Sequence, residues 1–218
     1  TTEISTLSLH DALPIYDPQV VGVKGSYRSA QREWVARLVQ LEYDYRYDRM
    51  AHYGVIDFID TSAAAYRKDV LLSTGGFDAA YATASNEDVD LSFRLARGGH
   101  RLVFARQAWV WHRHPTALWA YLARKARHGY WRGLVYLRYP EKRGGDTHTD
   151  PALKTQLALV AAAGLLLTGG VAWWPLALAA AGVLVAFAAT TLPFVRWAWR
   201  RDRTVALLWP AVTLARSL

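Results

Sequence analysis

Short apolar runs alternate with longer helical patterns along residues 17–139. Runs rich in β-branched and aromatic residues predict strands at 20–23, 55–59, 101–105 and 108–112. Apolar residues three and four positions apart predict a helix over 31–50, and further helical segments are expected at 69–72, 85–97 and 116–139. Strands and helices that alternate in this way predict an α/β fold.

A different pattern begins near the C-terminus, where no charged side chain occurs from Leu157 to Val195, a run of 39 residues. As a helix this run is about 58 Å long, close to two crossings of a hydrocarbon core of about 30 Å. The stretch "TGGVAWWP" at 168–175 suits a turn at the far face of a membrane. We therefore predict a transmembrane hairpin at about 157–195 and the start of a further segment at 204–218. The alternative is a buried helical hairpin in a soluble protein.

Positive charge is concentrated beside this apolar run. The chain has a net charge of +8, and two segments more than account for it, since 124–143 carries +6 and 196–203 carries +3. Basic residues at both ends of a hairpin place both ends in the cytoplasm, which predicts a multi-pass protein of the inner (plasma) membrane. Because the charge is not spread over the chain, nucleic acid is not an expected partner. Cysteine is absent, which excludes a disulfide framework and a thiolate metal site within this sequence.

The first residues follow neither a helical nor a strand pattern. "TLSLHDALPI" resembles one reading frame of a sequencing-library adapter, so residues 1–15 are expected to be non-native and are set aside. A short natural strand and turn is the alternative. The natural protein is then expected to begin upstream of Asp17.

Three carboxylates stand together in "SNEDVDLSFRL" at 85–95. Ser85 is a candidate N-cap with Asp88 as its partner, and Asp90 with Arg94 has the spacing of a surface ion pair. Glu87 and Asp88 have no such local partner and are either capping residues or functional ones. The helix dipole is expected to stabilise these carboxylates in their charged form, which suits a base or a metal-linked acceptor.

Three motifs occur in order and favour the functional interpretation: a small-residue segment ending in Tyr-Arg, then Gly-Gly-Phe-Asp, then Glu-Asp-x-Asp-Leu-x-x-Arg. "TSAAAYRKDVLLSTGGFD" followed by "NEDVDLSFRLARGGHRLVF" resembles the family 2 glycosyltransferases, which have a GT-A fold. The resemblance runs from about Asp17 to Leu218, because "HGYWRGLVYLRYPEK" and the apolar tail are similar to inverting members with C-terminal membrane helices that build bacterial polysaccharides and exopolysaccharides.

The resemblance implies the C-terminal part of a GT-A (Rossmann-like) domain followed by a transmembrane helical hairpin, with the N-terminal nucleotide-binding half missing. Its expected divisions are a partial catalytic domain at 16–115, an interfacial basic helix and linker at 116–150, and membrane helices at 151–218. No Asp-x-Asp motif precedes Val20, so this chain alone is expected to be inactive.

The resemblance also implies roles for individual residues. Asp88 would be the catalytic base, accepting the proton of the acceptor hydroxyl as that oxygen attacks the anomeric carbon. Glu87 would orient the acceptor or a positive side chain. Asp78 and the Gly75–Gly76 turn would shape the acceptor pocket, and Arg67 would be either a structural or a phosphate contact.

In "VWHRHP" at 110–115, strand alternation would point His112 and His114 to opposite faces. The resemblance implies that His112 helps to hold a divalent cation, Mg²⁺ or Mn²⁺, that neutralises the nucleoside diphosphate. An ordinary histidine at the rim of a strand is the alternative.

"RKARH" at 124–128 falls where processive relatives carry Gln-x-x-Arg-Trp. Arg127 keeps the arginine, whereas Arg124 and His128 replace the glutamine and the tryptophan. The absent tryptophan favours transfer of a single sugar, although Trp131 is a possible substitute. The same helix can lie on anionic lipid.

The leading interpretation is a membrane-anchored inverting glycosyltransferase that moves a sugar from a nucleotide-sugar donor to a lipid-linked or polysaccharide acceptor of the cell envelope. One alternative is a membrane-tethered, non-enzymatic protein whose basic helix binds anionic lipid or nucleic acid. A processive polysaccharide synthase is a further alternative.

Overall fold

The computed structural model describes residues 13–81 and 86–218. Their helices and strands follow in this order: a 3-10 turn Leu13–Tyr16, β1 Val20–Arg28, α1 Trp34–Met50, a 3-10 turn Thr61–Ala63, β2 Ala64–Tyr66, α2 Lys68–Ser73, α3 Glu87–Arg97, β3 Arg101–Trp111, α4 Leu118–Arg138, a 3-10 turn Pro140–Gly144, α5 Ala152–Gly170, α6 Pro175–Trp199 and α7 Arg203–Ser217. The chain divides into two compact units, with the boundary after His148.

A small mixed sheet organises the first unit. Its strand order is β2-β1-β3, with β1 antiparallel to β2 and parallel to β3. The first eight residues of β1 are all buried, as expected for a central strand that is covered on both faces. The predicted α/β class is confirmed for this unit.

The helix α3 packs between the sheet and α4. On one face, Leu91 and Leu95 join Val21, Ile59 and Leu102 in a buried apolar cluster. On the opposite face, α3 packs through a second cluster, whose buried members are Phe58, Tyr81, Val89, Phe93, Val135 and Tyr139. The first turn of α3 is therefore fixed by burial on both sides.

The two strands expected at 101–105 and 108–112 form one strand, β3. Its pairing with β1 jumps from Lys24↔Phe104 to Ser26↔Trp109, so the intervening residues bulge out of register. Ser26 Oγ donates a hydrogen bond to the carbonyl oxygen of Arg106 in the bulge, at 2.8 Å. Gly25 lies under the bulge, where an added Cβ would be 2.3 Å from the carbonyl oxygen of Ala108.

The strand expected at 55–59 is wrong. Only Ile56 makes a bridge, to Leu102, and the strand that pairs with β1 is the following Ala64–Tyr66. Side chains take the place of a strand partner in this segment. The backbone N–H groups of Asp57 and Ile59 donate to Thr147 Oγ1 and Ser92 Oγ, at 3.1 and 3.0 Å. An apolar run alone cannot reveal such partners.

The helix expected from the acidic stretch is confirmed as α3, and Ser85, its candidate N-cap, lies outside the described residues. Asn86 precedes the helix with φ of 67°, a left-handed conformation that asparagine tolerates better than most residues. Its side-chain amide donates to the carbonyl oxygen of His128 at 3.0 Å, which ties the start of α3 to α4.

The second unit consists of α5, α6 and α7. Two of its helices, Ala152–Gly170 and Pro175–Trp199, are long and apolar enough to cross a membrane, with mean hydropathies of 1.5 and 2.1. Only 17% and 22% of their most apolar stretches are buried in the protein itself. The expected pair of apolar helices and the turn between them are therefore confirmed. The segment expected at 204–218 is the helix α7, whose N-cap Asp202 accepts from the N–H of Val205 at 3.1 Å.

Substitution of Gly25 tests the packing under the bulge. Gly25→Ala is expected to destabilise the protein by about 1–3 kcal/mol, because the backbone of β3 must move to admit the methyl group. Gly54→Ala is the matched control, since an added Cβ there meets no atom within 4 Å. Chemical denaturation measures both, and equal stabilities of the two variants would contradict the description of the bulge.

Candidate active site

The first turn of α3 presents its three carboxylates to different surroundings. Glu87 and Asp88 are partly buried, whereas Asp90 is only 2% exposed. One oxygen of Asp88, Oδ1, accepts from the N–H of Val89 at 2.8 Å. The three acids therefore do not form one solvated helix end, as a simple capping role would require.

The environment of Asp88 makes its carboxyl group a stronger base than an ordinary aspartate. Burial, followed by the negative charges of Asp60 and Glu87, raises the pKa of Asp88 from 3.8 to about 7. We expected the helix dipole to stabilise the charged form, and that expectation is wrong in direction for this residue. Loss of water and two acidic neighbours outweigh the partial positive charge of the helix end.

A hydroxyl group joins α3 to the segment before β2. Ser92 Oγ donates to the carbonyl oxygen of Asp88 at 2.6 Å. Ser92 Oγ also accepts a hydrogen bond from the N–H of Ile59 at 3.0 Å. Ser92 is fully buried, so these bonds are shielded from water. Asp60, the residue after Ile59, is thereby held close to the first turn of α3.

The ion pair between Lys24 and Asp60 was missed by the sequence analysis. Lys24 is fully buried in the centre of β1, and Asp60 is 8% exposed. Burial lowers the pKa of Lys24, and Asp60 opposes that shift. A signal was present: a lysine stands in the run "VVGVKGSY", and a buried cation in a central strand needs a carboxylate partner.

Three tyrosines surround this ion pair. The rings of Tyr27 and Tyr47 lie 5.5 and 5.8 Å from Lys24 Nζ, and Tyr43 stacks edge-on against Tyr27. Burial and then the charge of Asp60 raise the pKa of each tyrosine, so all three stay protonated at neutral pH. The pair thus lies in a buried, aromatic environment.

Asp90 and Arg94 form their expected ion pair, at 3.2 Å, but it is not a surface pair. The buried Asp90 carboxylate also accepts from Arg138 and from the hydroxyl of Tyr139, at 3.3 and 3.1 Å. Packing of α4 onto α3 buries the Asp90 carboxylate. The spacing of the acidic residues in the sequence did not predict that burial.

The glycine turn is held by the same arginines. Arg94 donates to the carbonyl oxygens of Thr74 and Gly76, at 2.5 and 2.7 Å. Gly75 and Gly76 have φ of 84° and 64°, which explains why glycine is needed at both positions. Asp78 accepts from Arg138 at 2.6 Å. The turn containing Gly76 and Asp78 is therefore fastened to α3 and α4.

Residues of α4 differ in their contacts. Trp131 packs against the second apolar cluster, with its ring 5.8 Å from that of Tyr81, close to Asp78 in sequence. Arg127 is exposed on the same helix. Trp131 therefore joins the Asp78 side of the site, whereas Arg127 faces outward.

Two open cavities lie elsewhere in the unit. One, of about 490 Å³, is lined by Arg67 together with Asp69, His100 and Arg101. The other, of about 510 Å³, follows the carboxyl ends of β1 and β3 and is lined by His112 and neighbouring residues. Asp88 lines neither of them, so neither cavity joins Arg67 or His112 to Asp88.

The expectation that His112 and His114 face opposite sides is wrong. Their ring centroids are 5.0 Å apart, and the two rings stack on Tyr27 and Tyr43, at 4.7 and 5.7 Å. The strand ends at Trp111, so strand alternation does not apply to the residues after it. His114 Nε2 is bonded to Gln40 at 2.9 Å, whereas His112 Nδ1 is buried and makes no hydrogen bond with the described residues.

A free imidazole nitrogen alone does not make a cation site. Within residues 13–81 and 86–218, no group of three or more histidine, aspartate or glutamate side chains is placed to hold a metal ion. These residues therefore do not by themselves fit the divalent cation expected from the resemblance. The assignment of His112 to a divalent cation stays a prediction.

Comparison with known proteins gives two findings. A family model described as "Glycosyltransferase like family 2" matches residues 7–130. The pre-mycofactocin glycosyltransferases of two Mycobacterium tuberculosis strains, CDC 1551 / Oshkosh and ATCC 25618 / H37Rv, are each 31% identical over 113 residues. The alignment covers 52% of this chain, which spans about a quarter (24%) of the length of these relatives.

The raised pKa of Asp88 predicts a pH-dependent stability. A group whose pKa is higher in the folded state stabilises the fold fully below its unfolded pKa of about 4, and that contribution is lost as the pH rises through about 7. Asp88→Asn should therefore stabilise the protein at pH 8, by at most about 4 kcal/mol, with no gain below pH 4. Chemical denaturation across this range measures the difference.

Asp78→Asn is the control of opposite sign. The bond from the N–H of Ala80, followed by Arg138, lowers the pKa of Asp78. Its loss should destabilise the protein at neutral pH and matter less as the pH falls below 4. If both variants showed the same pH dependence, the electrostatic description of the site would be wrong.

Proposed function

The chain belongs to glycosyltransferase-like family 2, and on that premise we propose that it is part of a membrane-anchored, inverting glycosyltransferase with Asp88 as its catalytic base. Its donor is a nucleotide sugar, and its acceptor is a lipid-linked glycan or a polysaccharide of the cell envelope. The observation that carries this proposal is the environment of Asp88, a partly buried carboxyl with a pKa of about 7.

The chemistry requires a base of this strength. In an inverting transfer, the Asp88 carboxylate takes the proton of the acceptor hydroxyl while the hydroxyl oxygen forms its bond to the anomeric carbon. The bond between that carbon and the nucleotide breaks on the opposite face, and its electron pair leaves with the nucleotide. A general base is most effective when its pKa lies near the working pH, and a pKa of about 7 is closer to that pH than the value of about 4 of an ordinary aspartate.

The surroundings of α3 supply the acceptor side of this scheme. Asp78 and Gly76 stand in a turn that Arg94 and Arg138 hold rigid, and Trp131 offers an aromatic ring beside Tyr81. An indole ring suits the apolar face of a sugar. We assign to Glu87 the orientation of the acceptor, and to Arg67, in its separate cavity, a contact with a phosphate group.

The apolar helices support the anchoring part of the proposal. α5 and α6 are each long enough to cross a bilayer, and basic residues stand before α5 and after α6. The positive-inside rule then places both ends of the pair, and the catalytic part of the chain, on the cytoplasmic side of the inner membrane. A nucleotide-sugar donor is found on that side, and a lipid-linked acceptor is held at its surface.

Removal of the base tests the proposed reaction. In the intact enzyme, Asp88→Asn should lower kcat by about 10²–10⁴-fold while leaving nucleotide-sugar binding nearly unchanged. The kcat/KM of the parent should rise with pH and level off above about 7, since the base acts only when it is deprotonated. Glu141→Gln, which removes an exposed carboxylate paired with Arg97, is the control and should be fully active. An active Asp88→Asn enzyme would exclude Asp88 as the base.

Thiol labelling tests the topology, because this chain contains no cysteine. Val171→Cys places a thiol in the turn between α5 and α6, at a residue that is 91% exposed. A membrane-impermeant maleimide should label it in intact bacterial cells. Ser73→Cys, in the first unit, should react only after the cells are opened. The reverse pattern of labelling would contradict the proposed orientation.

A further inference from the structure

The ion pair of Lys24 and Asp60 has a buried position that stability alone does not explain. The side chains are 0% and 12% exposed. Removing two charges from water is costly, and a buried pair is often no more stabilising than well-packed apolar residues. A buried pair beside a candidate base therefore points to a role in the site.

The two oxygens of Asp60 have different partners. Oδ1 is bonded to Lys24 Nζ, whereas Oδ2 is buried and has no hydrogen-bond partner among the described residues. The carboxylate shares its negative charge between both oxygens, and its effect reaches the tyrosines around it and Asp88. Lys24 fixes the carboxylate in place and offsets part of its effect at Asp88, where Asp60 has the larger influence.

The Ser92 hydroxyl links the backbone beside Asp60 to the backbone of Asp88. Ile59, next to Asp60, donates to Ser92 Oγ, and Ser92 donates in turn to the carbonyl oxygen of Asp88. All of these bonds are buried or part-buried. The backbone next to Asp60 is therefore tied to the first turn of α3 through Ser92.

The charged and titratable groups around Asp60 come from every element packed against it. They are Lys24 and Tyr27 of β1, Tyr43, Arg46 and Tyr47 of α1, Tyr66 of β2, Asp88 of α3, and His112 after β3. The tyrosines are neutral, and Arg46 is paired with Glu42 at 3.6 Å. Asp60 and Glu87 are the negative charges with the largest effects on Asp88.

We propose that Asp60 is a positioning residue for the reaction, which clamps a fixed negative charge beside Asp88 and so favours transfer of a proton onto the Asp88 carboxylate. Lys24 holds Asp60 in its dry position, and Ser92 holds the two aspartates in register. This inference rests on the proposed function, and it adds a second carboxylate that touches neither the donor nor the acceptor but sets the strength of the base.

Asp57 provides a matched control in the same segment. Its carboxylate is also partly buried and bonded, accepting from Lys142 Nζ at 2.7 Å and from the N–H of Thr147 at 2.8 Å. It stands three positions before Asp60 and is not among the charges that dominate at Asp88. Asp57→Asn therefore removes a similar structural anchor without removing the proposed electrostatic effect.

The test measures the proton affinity of Asp88 in two ways with the intact enzyme. The first is the pH dependence of the stability difference between each protein and its Asp88→Asn derivative, which needs no activity. The second is the acid limb of kcat/KM. Both are measured in the parent, in Asp60→Asn and in Asp57→Asn. Because Asp60→Asn leaves a buried lysine unpaired, the double variant Lys24→Met with Asp60→Asn is included as a form that removes the pair together.

Asp60→Asn should move the Asp88 transition down by about one pH unit. The double variant should move it down by less, because Lys24 lowers the pKa of Asp88 and its loss offsets part of the change. Asp57→Asn should leave the transition in place. An unmoved transition in the double variant, or an equal movement in Asp57→Asn, would overturn the inference. If the stability measurement shows the shift but no sugar is transferred by the parent, the electrostatic effect of Asp60 on Asp88 stands and the proposed function fails. If sugar is transferred but Asp60→Asn does not change the acid limb of kcat/KM, the proposed function stands and the role of Asp60 is wrong.

Discussion

A lysine in the middle of a buried strand is the constraint on which the first unit depends. Lys24 is covered on both faces of β1, so the fold must bring a carboxylate to it, and Asp60 is that carboxylate. This requirement draws the segment before β2 under the sheet. Ser92 then binds the same segment, and α3 is held with its first turn beside the pair. The position of Asp88 thus depends on the ion pair made by Lys24, which stands 64 residues earlier in the chain.

The same arrangement opposes stability and favours reactivity. Burial, and then the negative charges of Asp60 and Glu87, disfavour the charged form of Asp88, and its raised pKa expresses that cost. The surrounding network of Arg94, Arg138 and Asp90 offsets the strain by fastening α3 to the glycine turn and to α4. Active sites commonly contain residues in unfavourable environments that the reaction needs, and the surrounding structure then supplies the stability.

The sequence predicted those features that depend on local pattern. The helices α1, α3 and α4 and the apolar pair α5 and α6 have strong periodicity or length, and all are found. Features that depend on distant partners were not predictable. The run 55–59 does not become a strand because Ser92 and Thr147 satisfy its backbone, and β3 is one strand because Gly25 and Ser26 accommodate its bulge. Asp90 is buried because α4 covers it.

The residues of the candidate site also divide into those that a local motif predicts and those that depend on distant partners. Asp88 and the glycine turn were identifiable because their motifs are contiguous, whereas Asp60 has no motif and gains its importance only from Lys24 and Ser92. The central claim is that Asp88 is held in a buried environment next to a fixed negative charge. Titration of its carboxyl carbon by ¹³C NMR tests this most directly, with Asp88→Asn used to assign the signal. The account predicts a midpoint near pH 7, and a midpoint near pH 4, that of a solvated aspartate, would contradict it.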